Sequence, residues 1–355
     1  KLAWRLIETK EQEREREKLE RERRKAEAAG EEWEEPKKEN PFAFKMPTSG
    51  EINPENHLTV DFDYPLVKLD SAELLLTRLL EDNSIEDIPV RMVRDTGMLR
   101  RWQVRAPWKL GGQYTVTIPE GVTSIGSSAF ENCGLMAYGG LGAVTLPEGL
   151  TTIGSSAFSG SYMDSLTLPE SLRTIGGAAF EKSPLKTLTI PSGVTSIGNG
   201  AFKSSHLTSI QLPDGAQLGA MLFYQCYELT DVTLPADLTV IGDSMFENCT
   251  KLTHVTIPSG VTRIEREAFT MCGALEEIRL PEGVETIGVI AFSGCVAMTG
   301  VYLPRSLTTI ESGAFSACRS LTDVYYSGTA AEWAAISVAD RNDPLLNAAL
   351  HCTGQ

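Results

Sequence analysis

Leu229-Thr230-Asp231-Val232-Thr233-Leu234-Pro235-Ala236-Asp237-Leu238-Thr239-Val240-Ile241-Gly242-Asp243-Ser244-Met245-Phe246-Glu247-Asn248-Cys249 is the stretch whose pattern decides the fold. It opens as an alternating strand, Val232-Thr233-Leu234, ended by a proline that cannot donate the next ladder hydrogen bond. Leu238, Ile241, Phe246 and Cys249, with Leu252 just beyond, then form an apolar set that so short a segment cannot bury alone. The same pattern recurs on both sides of it. Prolines stand at 119, 147, 169, 191, 213, 235, 258, 281 and 304, with gaps of 28, then 22 four times, then 23 three times. Phe130, Phe158, Phe180, Phe202, Phe246, Phe269, Phe292 and Phe315 each follow a proline by eleven residues, and Phe223 follows by ten because its copy lacks one residue near Gln217-Leu218. Nine such copies predict a solenoid, mostly β with short helical or irregular segments, in which stacked coils cover each other's apolar sets.

Composition bounds the partners. The 355 residues carry a net charge of −15, with 42% hydrophobic side chains. An acidic balance argues against nucleic acid or an anionic membrane surface, and no apolar run is long enough to span a bilayer. The chain opens at Lys1 rather than Met, as a trimmed product does, so an export signal or a lipid or wall anchor would lie outside it.

Residues 1–40 hold 12 basic and 13 acidic side chains and read as a solvated helix. Glu13/Arg16, Glu15/Lys18, Glu17/Arg21 and Glu20/Arg24 pair at helical spacing, each worth about 0.2–0.5 kcal/mol. No apolar seam suits a coiled coil, so a charged spacer is expected, ended by Gly30 and Pro36. From residue 41 the period becomes two. Leu58-Thr59-Val60-Asp61-Phe62 alternates, and short runs follow at Ala72–Leu76, Ile88–Val93, Leu99–Val104 and Tyr114–Ile118. Residues 41–118 are therefore expected to form a small β-sandwich. The pattern LTVDFDYPL … WQVRAPWKLGGQYTVTIP resembles bacterial Ig-like domains of surface lipoproteins, which implies a spacer module.

The composite repeat LTxVTLPxxLTxIGxxAFxxC, over residues 113–326, resembles the BspA-like leucine-rich repeat family. The tail VYYSGTAAEWAAISVADRNDPLLNAALHC is similar to that family's closing segment, so residues 327–355 are expected to cap the array, with a short helix from Gly328-Thr329 carrying Trp333 and Ile336 over the last coil. The resemblance implies a bacterial cell-surface or secreted protein that adheres to a protein or glycan ligand, with no cofactor.

Cys133, Cys226, Cys249, Cys272, Cys295 and Cys318 lie three residues after the repeat phenylalanine, where other copies place Ser161, Ser183 and Ser205. They are expected to be reduced core residues, since serine does the same job without a bond. Gly126, Gly154, Gly176, Gly198, Gly242 and Gly288 share a turn position, but Glu265 and Glu311 occupy it elsewhere, so that turn cannot demand positive φ. Catalysis is not expected. The histidines, His57, His206, His254 and His351, form no metal-ligand spacing, and nothing in the sequence near His351 suggests a group to orient it.

Residues flanking an inward strand residue point outward, which defines two exposed columns. One runs Thr117, Thr145, Thr167, Thr189, Gln211, Thr233, Thr256, Arg279, Tyr302, Tyr325; the other runs Thr115, Ala143, Ser165, Thr187, Ser209, Asp231, His254, Glu277, Gly300, Asp323. Small hydroxylated residues give way to Asp231, His254, Glu277, Arg279, Tyr302 and Tyr325. Exposed Tyr and Arg are enriched at binding hot spots, so these six are the candidate ligand surface. The plainer reading is a solvated sheet face. The alternative function is a structural or assembly component of a bacterial envelope complex.

Overall fold

A computed structural model describes residues 41–45, 58–62, 75–79, 85–88, 91–94, 101–105, 113–118, 122–131, 141–163 and 165–354. The expected helix over residues 1–40 and Cys133 lie outside the described residues.

Each repeat is one coil, and most coils carry two short parallel strands. We number the coils one to nine by their phenylalanines, Phe130 to Phe315. First strands include Gln113–Thr117, Leu141–Thr145, Ser165–Leu166, Ser209–Gln211, Asp231–Thr233, Glu277–Arg279 and Gly300–Leu303. Second strands include Ser124–Ile125, Thr152–Ile153, Thr174–Ile175, Ser196–Ile197, Arg263–Ile264 and Thr286–Ile287. Coil stacks on coil in exact repeat register, Ile153 opposite Ile175 and Ile175 opposite Ile197. The missing residue of coil five falls between Pro213 and Gln217. Gln217–Leu218 still pairs with Ser196–Ile197, but the second-strand ladder stops there and restarts at Val240–Ile241.

The nine phenylalanines form one continuous buried stack, with centroids 5.1–5.8 Å apart and planes tilted by 1–17°. Parallel stacking follows from the fold, because every ring leaves an equivalent backbone position one coil along. Two residues before each phenylalanine, and two after each from Phe158 onward, the backbone turns left-handed: Ser128 and Ser156 before, Lys182, Asn248 and Ala317 after, with few glycines among them. Such residues cost about 1–3 kcal/mol each unless the surroundings hold them. Here the turn aims each N–H at the next coil: Ser156 donates to Gly177 O at 2.8 Å and Asn248 to Thr270 O at 2.8 Å. Between them Phe158 donates to Ala179 O at 2.8 Å.

The shared glycines have another purpose. None of Gly154, Gly176, Gly198 or Gly288 has positive φ. A Cβ on Gly176 would lie 2.5 Å from Ser155 N, and on Gly198 2.4 Å from Gly177 N, so glycine is required where adjacent backbones close up. At Gly242 such an atom meets nothing nearer than 3.7 Å, and there the requirement lapses.

The cysteine column is buried and reduced. Each thiol donates to the phenylalanine carbonyl of the preceding coil: Cys249 to Phe223 O at 3.2 Å, Cys272 to Phe246 O and Cys318 to Phe292 O at 3.1 Å. Ser161 makes the equivalent bond to Phe130 O. The slot therefore selects a small hydrogen-bond donor, which serine and cysteine share and alanine lacks. Burial pushes the Cys226 thiol up to about 11 and Cys318 to about 12, so the proton the bond needs stays in place.

Both ends of the array extend its ladders. Ahead of it, Pro41–Lys45 pairs in parallel with Ser124–Ile125 and leads to Leu58–Phe62, Arg101–Arg105 and Arg91–Arg94 in antiparallel order. Gln113–Thr117 is at once the first strand of coil one and the partner of Leu75–Leu79, which also holds Ile85–Asp87. The strands of residues 41–117 thus prolong both sheets of the solenoid instead of standing apart from it.

At the other end Thr329 caps a helix, Ala330–Trp333, through a reciprocal capping box with Glu332. Trp333 packs edge-on against buried Tyr326 at 5.5 Å. The chain then adds a strand to each ladder, Ser337–Val338 beside Thr309–Ile310 and Ala349–Cys352 beside Asp323–Tyr326. Where a further coil would offer a carbonyl to Phe315 N–H, the buried Asn342 offers Oδ1 at 3.0 Å. Its Nδ2 donates to Glu311 O and Ala339 O, both at 3.0 Å, so one side chain imitates the missing backbone.

Candidate functional site

The last four first strands, Glu277–Arg279, Gly300–Leu303, Asp323–Tyr326 and Ala349–Cys352, form a parallel sheet. Its register sets Arg279 opposite Tyr302, Tyr302 opposite Tyr325, and Tyr325 opposite His351. Alternation turns all four outward, and the coil spacing brings them into contact. The Arg279 guanidinium lies 3.5 Å from the Tyr302 ring centre. The two tyrosines stack at 4.5 Å with planes 8° apart, and His351 stacks on Tyr325 at 4.8 Å.

Acidic side chains flank this ladder. Glu277 accepts from Arg279 Nε at 3.2 Å and Nη2 at 3.4 Å, which holds the guanidinium flat for the ring. Asp323 Oδ1 lies 2.7 Å from His351 Nε2. That hydrogen bond, aided by one from Thr322, holds the Asp323 carboxyl below its ordinary value; the Asp323 charge in turn raises the Tyr325 phenol. Between the two acids, Gly300 has no side chain, and a Cβ there would be 3.8 Å from the Tyr325 ring.

Of the six residues predicted to form the surface, Glu277, Arg279, Tyr302 and Tyr325 are brought together. Asp231 and His254 are not. Asp231 belongs to the separate pair of strands Ser209–Gln211 and Asp231–Thr233, and residues 253–257 form no strand between that pair and the ladder. His254 instead lies 3.3 Å from Thr256 Oγ1 on its own coil. His351 is a correction in the other direction: Asp323 does orient it. The two are 28 residues apart, beyond the repeat period, because the closing helix intervenes. The alternation Ala349-Leu350-His351-Cys352 was the available signal.

Among the described residues no group of three His, Cys, Asp or Glu is placed to hold a metal, and no helix is long and apolar enough to cross a membrane. The ring faces are occupied by one another, so the ladder presents edges and phenolic hydroxyls at a spacing of about one strand separation, roughly 4.8 Å.

The geometry defines a parallel, two-ladder repeat solenoid. A family model described as the BspA type leucine rich repeat region, with six copies, matches residues 112–221 and 216–335, more than half of the sequence. The chain belongs to the BspA-type leucine-rich repeat family. It is similar in fold to a leucine-rich repeat protein from Bacteroides ovatus, at 23% identity and a TM-score of 0.57, covering 73% of this chain and 67% of that one. A leucine rich cell surface protein from Faecalibacterium prausnitzii is 28% identical with a TM-score of 0.38, covering 63% of this chain and 62% of that one. The pneumococcal vaccine antigen PcpA is 16% identical with a TM-score of 0.31, covering 75% of this chain and 88% of that one. No curated protein matches the chain.

Proposed function

We propose that this is a non-enzymatic binding or adhesion protein, displayed on the cell surface or secreted, that engages a protein or glycan ligand through the first-strand face of its last coils. The carrying observation is the Arg279–Tyr302–Tyr325–His351 ladder, four outward side chains ordered by each other and by Glu277 and Asp323. Preordered aromatic and arginine groups lose little freedom on binding, which is why such groups dominate interface energies. In this reading residues 1–40 form a charged helical spacer, and residues 41–118 form an Ig-like unit that closes the N-terminal end of the array.

The test is a paired substitution, Arg279→Ala with Tyr302→Ala, in protein screened on glycan and matrix-protein panels. A ligand of the native protein should be bound at least tenfold more weakly by the double variant with its stability retained. Unchanged binding overturns the assignment. Co-purification with envelope proteins, with no panel ligand, would favour the assembly role instead.

A further inference from the structure

A second place on the first-strand face differs from the ladder in every respect. Between coils three and four lies a half-open cleft of about 420 Å³, lined among others by Tyr162, Met163, Ser165, Lys186, Thr187 and Thr189. It occupies a gap in the backbone ladder. Ser165–Leu166 pairs with Leu141–Thr145 on one side, and Thr187 bridges to Ser209 on the other. No backbone hydrogen bond joins Leu166–Leu168 to Thr187–Ile190 among the described residues. The coils stay hinged behind the gap, where Thr174–Ile175 still pairs with Ser196–Ile197.

Two strand edges that are not paired with each other can offer N–H and C=O groups at strand spacing to a third strand. Another extended backbone satisfies such groups better than a sugar does, because its own donors and acceptors alternate at the same interval. A cavity of this size falls within the range of small-ligand sites, enough for a few residues and not for a folded domain. The charged side chain among the described lining residues is Lys186, on a protein whose net charge is −15. We propose that the cleft takes a short extended segment of a partner polypeptide by strand addition, with an acidic side chain of that segment meeting Lys186. This site is separate from the aromatic ladder and does not depend on it.

The probe is a library of capped tetrapeptides with aspartate fixed at each position in turn, set against the same library methylated at alternate backbone nitrogens. The readout is amide hydrogen exchange at Leu166, Leu168 and Thr189 in the full chain. The unmethylated library should slow exchange at these amides at least tenfold and the methylated one should not. Lys186→Glu, an exposed change that should leave folding intact, should move the preference from aspartate to lysine libraries. Ser165→Trp should fill the cleft and abolish protection by either. The proposal is overturned if no library protects these amides, if methylation makes no difference, or if tetragalacturonate protects them equally, which would make the cleft a glycan site.

Discussion

Coils three and four and coils five to nine are written in the same repeat and hydrogen-bonded differently in one column. The later coils carry cysteine in the small-donor column, and every one of those thiols reaches the preceding phenylalanine carbonyl, from Cys226 to Phe202 O at 3.0 Å onward. The ring steps that these thiols bridge run from 5.1 to 5.7 Å. Ser183 and Ser205 have other partners: Ser183 accepts from Leu185 N–H and Ser205 lies 3.4 Å from Cys226 Sγ. The two ring steps they would have bridged, Phe158–Phe180 and Phe180–Phe202, are 5.6 and 5.8 Å. At these two coils the hydroxyl takes another partner, although Ser161 in coil two reaches Phe130 O as the thiols do. The first-strand ladder opens both at the widest ring step, between coils three and four, and at coil seven, where the steps are 5.1 and 5.2 Å, so ring spacing alone does not decide it. The difference teaches that one column can change its hydrogen-bond partner from coil to coil while the ring stack stays continuous.

The comparison can be broken most forcefully through the rings. Phe269→Ala should cost about 3–5 kcal/mol, and Phe180→Ala should fall at or below the lower end of that range, because its neighbours are already further off. Denaturant midpoints at matched slopes would check this, and equal losses would count against any difference in packing. Removing the imitation coil at the C-terminal end comes next. Asn342→Leu leaves Phe315 N–H and the carbonyls of Glu311 and Ala339 without their partner, an expected loss of about 3 kcal/mol at roughly 1–3 kcal/mol per orphaned group. Exchange of the Phe315 amide should rise by orders of magnitude in that variant.

Alkaline pH should separate the halves. Thiols whose folded pKa is raised stabilise the protein fully below their unfolded value, near 9.0, and that stability is lost as pH rises toward the folded value, about 11 for Cys226 and about 12 for Cys318. The sign is fixed by the unfolded chain holding fewer protons in that window. Stability should therefore decline from about pH 9 upward, with unfolding led by coils five to nine, and replacement of the five thiols by serine should remove that pH dependence. The smallest effect sharpens the comparison instead of breaking it. Ser183→Cys should let coil three bond to Phe158 O and gain about 1 kcal/mol, read as a raised unfolding midpoint.

Much of this molecule was legible beforehand. The phenylalanine column, the inward isoleucines, and the outward columns through Arg279, Tyr302 and Tyr325 all follow from periods that the backbone is obliged to keep. The glycine column was legible in part: Glu265 and Glu311 excluded a demand for positive φ, but the close approach of Gly176 to Ser155 needs two coils in view. His351 escaped because two short helices and a second strand separate its strand from the previous one, so period counting ends before it does. Asp231 and His254 were placed in the right columns and still excluded, because column membership says nothing about whether neighbouring strands remain paired. The openings at coil seven and between coils three and four had no local mark, since Ser165-Leu166-Thr167 and Thr187-Leu188-Thr189 read like any other strand of the array.

The sequence by itself determined the repeat, the faces and the identity of every stacked column, because each coil carries its inward and outward positions at a period no other fold accommodates. Tertiary structure alone decided which columns touch: where the ladder holds, where it opens, and that Asp323 meets His351. Those outcomes depend on coil-to-coil distance, set by donors such as the Cys272 thiol and close contacts such as Gly198, and distance between coils is summed over neighbours that no single repeat contains.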